Sequence, residues 1–151
     1  EIYLMNENGV CVSKHIIQEG GTQLMGGTSE CNLNITYNYS PMFKLALNYW
    51  DNDDDVTNDH TSSNRNAGLH WLRGKRAGDT IERLTFAVKF LGTDRWTYGG
   101  HKSDGPVTFM KKDDRSHYND YWVGSAGNAG RALKILLGWA KEHPDGVWEL
   151  H

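Results

Sequence analysis

Cysteine is scarce in this chain, long apolar runs and an excess of basic charge are missing, and each shortage removes a class of protein. Two cysteines, Cys11 and Cys31, are too few to staple a chain of 151 residues into a disulfide-dense scaffold. Each falls within a predicted strand and the pair lacks small-scaffold spacing, so reduced thiols are expected, although the two could in principle pair. No apolar run approaches the length of a membrane span, and no signal sequence is expected. The expectation is a cytoplasmic protein of its host cell with no membrane partner. The sequons Asn34-Ile-Thr36 and Asn38-Tyr-Ser40 then read as coincidence. A formal net charge of −3 argues against a general nucleic-acid binder.

Recognisable catalytic machinery is missing too. The seven histidines show no metal-ligand spacing such as H-E-x-x-H, so no metal or other cofactor is expected. Neither cysteine sits in a nucleophile motif, and there is no G-x-S-x-G elbow. Acid pairs such as Asp113-Asp114 lie in charge runs, where solvation is the usual explanation. No catalytic residue is assigned. An enzyme is disfavoured, although triads assembled from distant positions leave no local motif.

What is present fits one domain over residues 1–151. The apolar fraction is only 38 %, and six Trp, seven Tyr and four Phe supply the bulk that aliphatic residues do not. The most regular stretch is Glu30 to Tyr39. Cys31, Leu33, Ile35, Tyr37 and Tyr39 fall on one face, and Glu30, Asn32, Asn34, Thr36 and Asn38 on the other. Such alternation predicts a strand with one buried side. Asparagine is disfavoured in strands, yet an amide offers both donors and acceptors. The polar row is therefore either a solvated outer face or a wall for a polar ligand.

Before it, residues 2–5 predict a strand, Asn8-Gly9 a type I′ hairpin turn, and residues 10–17 a second strand, giving an N-terminal antiparallel meander. Ser40-Pro41 predicts a helix start, followed by a stripe of Met42, Phe43, Leu45, Ala46, Tyr49 and Trp50. Asp79 and Glu82 form a capping-box variant before a second helix lined by Ile81, Leu84, Val88 and Leu91 and stopped by Gly92. Residues 93–120 lose periodicity, with a short strand expected near Val107–Met110. A third helix carries Ala129, Leu133, Leu136, Leu137 and Ala140 inward, ends at His143-Pro-Asp-Gly146, and leads to a closing strand, Val147 to Leu150. The fold class expected is α+β, a meander with three helices on one face and a short C-terminal strand.

Three stretches could converge on one site. They are Asn34, Thr36 and Asn38 on the central strand, Trp71 with Arg73 and Lys75 in the most basic stretch, and Ser125, Gly127 and Asn128 at the start of the last helix. A helix amino end offers free N–H groups and partial positive charge to a phosphate or carboxylate. The spacing G-x-x-G-x-x-G matches no nucleotide-binding fingerprint, and Ser125 or Asn128 could simply cap the helix. Residues 51–66 form an acidic tract whose sixth and twelfth places hold Val56 and Ser62, which rejects a helix–loop–helix calcium site. Its Asp53, Asp54 and Asp55 could instead engage a basic protein surface.

Asn34-Ile-Thr-Tyr-Asn38, Leu72-Arg-Gly-Lys-Arg-Ala-Gly-Asp79 and the run from Gly127 to Asp145 resemble small proteins encoded by bacterial viruses and prophages. The motifs cover under half of the chain, and that family carries no settled activity, so no catalytic residue is carried over. The acidic tract and residues 93–120 stand as additions to the common pattern. The resemblance implies an accessory, anti-defence setting. Three readings follow. The chain captures a small, nucleotide-like polar ligand, or it inhibits a host defence protein through its acidic loop and exposed aromatics, or it is a nucleotide hydrolase. Self-association is left open.

Overall fold

Strand β1 (Ile2–Met5) and strand β4 (Val147–Leu150), from opposite ends of the sequence, pair antiparallel at the centre of the fold, with Ile2 opposite Leu150 and Met5 opposite Val147. The computed structural model describes residues 1–13, 33, 35, 39–47, 68–93, 97–99, 109–111 and 125–151, with 97–99 and 109–111 as backbone only. On the other edge of β1, Ile2 exchanges both backbone hydrogen bonds with Leu33 at 3.0 Å, and the Val12 N–H donates to the Leu4 carbonyl at 2.8 Å. The outer edge of β4 takes the segment before the second helix. The Gly74 N–H donates to the Trp148 carbonyl at 2.9 Å and the Trp148 N–H to the Lys75 carbonyl at 3.0 Å.

The chain is therefore α+β as its patterning predicts, but a three-strand meander is not what the described residues display. Only single bridges, Met5 to Cys11 and Ile2 to Leu33, represent the two expected strands, and most of 10–17 and 30–39 lies outside the described residues. The described inward positions of the central stretch do face the core. Leu33 and Tyr39 are buried and Ile35 is half-buried against the same cluster.

Two local expectations need correction. The Asn8-Gly9 turn is not type I′, because Gly9 has a φ of +73° but Asn8 does not share the left-handed conformation. Instead Asn6 closes the loop. Its side-chain oxygen accepts from the Asn8 and Val10 N–H groups, and its own N–H donates to the Val10 carbonyl at 2.8 Å. Cys11 is disulfide-bonded rather than reduced. The one other cysteine, Cys31, lies outside the described residues. Sequence spacing hides the bond because β1 gathers the Cys11 and Leu33 segments onto one edge.

One face of the sheet is dry. Ile2, Leu4 and Trp148 are buried, whereas Val147 and Glu149 on the opposite face are exposed. Helix α1 (Ser40–Leu47) presents Met42, Phe43, Ala46 and Leu47 to the core, and Phe43 meets Tyr39 edge-on at 6.0 Å. Helix α2 (Ala77–Leu91) buries Leu84, Ala87 and Leu91, and Gly92 stops it with a φ of +71°. It begins before the predicted capping box. Arg76 holds the cap position without a side-chain bond, and Asp79 lies within the first turn. The carbonyls of Gly146 and Pro144 accept from the Ala77 and Gly78 N–H groups at 2.7 and 2.8 Å, so tertiary structure supplies the cap.

Strands β2 (Thr97–Gly99) and β3 (Phe109–Lys111) form a separate antiparallel pair. Helix α3 (Ala126–Glu142) buries Ala129, Leu133, Leu136, Leu137 and Ala140, the face its spacing predicts, and makes its largest interface with α2. Gly78 lies against Pro144 while Gly130 lies against Gly92, so the two helices run antiparallel. Among the described residues no helix is long and apolar enough to cross a membrane.

Candidate functional site

A short 3-10 turn, Gly68–Leu72, delivers the basic stretch to the edge of the sheet. Leu72 is fully buried and anchors the turn, and Gly68, at a φ of +59°, packs against Phe43 and Lys44 of α1. Leu69 and Trp71 are half-buried against the core. The Lys75 N–H donates to the Leu72 carbonyl at 2.9 Å, and Gly74, at a φ of +74°, reverses the chain so that residues 74–76 run beside β4. Local turn chemistry and the sheet edge together fix where the side chains of 73–76 emerge.

The indole of Trp71 then gathers charge. Arg83, two turns into α2, places its guanidinium carbon 4.3 Å from the ring centroid, and the Lys75 ammonium lies 5.3 Å from it. Both distances fall within cation–π range. Arg73 donates from Nη2 to the Leu150 carbonyl at 2.9 Å, which ties it to the end of β4. Arg76 forms an exposed ion pair with Asp145. Partial burial, and after it the charge of Arg73, lowers the His70 pKa from its ordinary value. The Lys75 ammonium has no hydrogen-bond or ion-pair partner among the described residues. Two cations thus meet one indole on a chain whose net charge is negative.

The start of α3 is built differently. Ser125 is its N-cap, and its hydroxyl oxygen accepts from the Asn128 N–H at 3.1 Å. Ser125, Gly127 and Asn128 are all buried. The Asn128 side-chain oxygen accepts from Nη2 of Arg131, whose Nη1 donates to the Thr93 carbonyl at 2.6 Å. Gly130 touches the backbone of Gly92. At Gly130 the space that could have admitted a ligand instead admits the end of α2.

These two parts do not converge. The basic stretch leads into the amino end of α2, while the start of α3 packs on its carboxy end. The 15 residues of α2 separate them by roughly 20 Å at the α-helical rise. Asn34, Thr36 and Asn38 lie outside the described residues, as do Asp53, Asp54 and Asp55. Among the described residues no group of three or more His, Cys, Asp or Glu could hold a metal ion. Arg83 is the residue that sequence reasoning missed. It lies twelve positions after Trp71 across a turn, and no local pattern signals that contact. Comparison with known proteins returns no match, whether to a family model, a curated protein or a solved structure.

Proposed function

We propose that the chain is a non-enzymatic binding protein that captures a small, nucleotide-like polar ligand at the cationic surface around Trp71, as an anti-defence accessory of a bacterial virus or prophage. The observation that carries the reading is the Lys75 ammonium, which lies 5.3 Å from the centroid of the half-buried Trp71 indole and has no hydrogen-bond or ion-pair partner among the described residues, on a ring that Arg83 also approaches at 4.3 Å. An anionic ligand would supply that partner. The amide row Asn34, Thr36 and Asn38 belongs to the same proposal.

A thermal-shift panel of mono-, di- and cyclic nucleotides tests the reading. A ligand at a hundredfold over its Kd adds about 2.7 kcal/mol to stability. For a chain of this length that is a rise in Tm of roughly 5–10 °C. The rise should be lost in Arg73→Ala/Lys75→Ala. A flat panel removes the reading.

The cytoplasmic setting is part of the proposal and meets one opposing observation. Cys11 is disulfide-bonded, and cytosolic thiols are ordinarily kept reduced. Rapid alkylation of expressing cells, followed by mass spectrometry, should find Cys11 modified if the protein resides in a reducing compartment. A Cys11 left unalkylated, its thiol held in a disulfide, would place the protein in an oxidising compartment and remove the cytoplasmic assignment.

A further inference from the structure

We infer that His70 makes anion capture at the Trp71 surface proton-dependent, tighter in acid than in alkali, which rests on the ligand-binding proposal and adds regulation to it. Residues 68–72 form a 3-10 turn, and at three residues per turn positions three apart share a ridge. Leu69 and Leu72 form the ridge that meets the core, one half-buried and one fully buried. Gly68 and Trp71 form the second, buried and half-buried. His70 and Arg73 form the third, and both are exposed. The Arg73 N–H donates to the His70 carbonyl at 3.2 Å, which carries the same spacing one residue past the turn. The imidazole and the Arg73 side chain therefore leave the turn on one side, about 6 Å apart along its axis at the 3-10 rise. Their ridge adjoins that of the indole over which the Lys75 ammonium lies.

The imidazole responds to the charges around it. Partial burial of the ring, then the guanidinium of Arg73, then the amino group of Glu1 beside β1 disfavour its charged form. The elements packed against the turn bring further charged groups. Lys44 of α1 lies against Gly68, and Arg83 of α2 lies over Trp71. The Glu1 carboxylate accepts from the Tyr3 hydroxyl, and Glu149 of β4 faces His151 at 3.8 Å. An anion drawn to Lys75 and Arg73 offsets positive charge next to His70 and so favours the imidazolium. The coupling is reciprocal, because a ligand that raises the His70 pKa binds more tightly once His70 is protonated. Above that pKa the ring is neutral and adds nothing, and below it the ring adds a cation. Charges within roughly 10 Å still interact at moderate salt, so His70 need not touch the ligand.

Cyclic AMP is the probe, because its phosphodiester keeps a constant charge between about pH 5 and 8, the range in which histidine titrates. Isothermal titration across that range should show affinity for the parent protein rising about fivefold toward the acid end, the lower bound of ordinary coupling between sites. His70→Gln should give a flat profile at the weaker level, and His70→Lys a flat profile at the tighter level. His151→Gln should keep the parent slope. In NMR titrations the His70 ring should take up its proton at higher pH when cyclic AMP is bound. A slope that persists in His70→Gln, or a flat parent profile, would overturn the inference and leave the ligand-binding proposal standing. Cyclic AMP that fails to bind at every pH would overturn it too, and a flat nucleotide panel beside it would remove the ligand-binding proposal as well.

Discussion

Replacing Gly130 by alanine should unfold or severely destabilise the protein, by at least about 3 kcal/mol, beyond the usual range for overpacking. A Cβ at this position would lie 1.7 Å from the carbonyl oxygen of Gly92 and 2.8 Å from its carbon. The obstacle is backbone, so no rotamer change relieves it. Gly92 is itself fixed, since it ends α2 in the left-handed region and its N–H donates to the Val88 carbonyl at 2.8 Å. Accommodation therefore means separating the end of α2 from the start of α3, which opens the interface that buries Leu91 and Ala129. Gly138 on the same helix provides the control. Nothing lies within 4 Å of its added Cβ, so Gly138→Ala should stabilise by about 0.5–1 kcal/mol through helix propensity alone. Urea midpoints of the two variants should move in opposite directions. A Gly130→Ala protein with the parent midpoint would refute the close approach of the two helices.

The second large effect is expected at Trp148. Its side chain is completely buried, and its indole N–H donates to the Thr80 hydroxyl at 3.0 Å. Thr80, also fully buried, donates its own hydroxyl hydrogen bond to the Ala77 carbonyl at 2.7 Å. The backbone of Trp148 joins β4 to residues 74 and 75, and its pairing partner across the sheet is Leu4. One residue thus links both sheet edges to the first turn of α2. Trp148→Ala should cost about 3–5 kcal/mol, the range for large aromatic truncations in a core. In a chain of this size that lowers Tm by roughly 10–20 °C. Trp148→Phe keeps most of the volume but leaves the Thr80 oxygen without its donor, so it should lose about 1–2 kcal/mol. Thermal denaturation followed by far-UV circular dichroism measures both. Equal stability of Trp148→Phe and the parent would remove the Thr80 bond from the account.

The elements governed by local periodicity were the ones the sequence displayed. The inward face of α3 follows from Leu133, Leu136, Leu137 and Ala140 at helical spacing, and Gly92 marks the end of α2, because both depend on residues a few positions apart. Long-range features left no such trace. The alternation in β1 and β4 cannot say that Ile2 lies opposite Leu150. Neither can Arg76 announce that the carbonyls of Pro144 and Gly146 will cap its helix. At the candidate site, the chemical types at Trp71, Arg73 and Lys75 were visible as a basic aromatic stretch. The role of Arg83 was not, since a cation over an indole is set by the path of the intervening chain. Gly130 illustrates the same limit from the other side. Missing side chains mark a close approach, and only the fold identifies the neighbouring backbone as the visitor.

The pairing of β1 with β4 also sets a timetable for biosynthesis. Residues 2–5 leave the ribosome well before their partners, 147–150, which follow about 145 residues later. Until then the inner edge of β1 lacks its mate, and the first turn of α2 lacks the carbonyls of residues 144 and 146. Cotranslational folding can shape individual helices, but the sheet can close only after residues 147–150 have emerged. Nascent chains therefore carry apolar Ile2 and Leu4 without their β4 partners until that point, which makes this interval, rather than the finished molecule, the period of greatest exposure to chaperones and proteases.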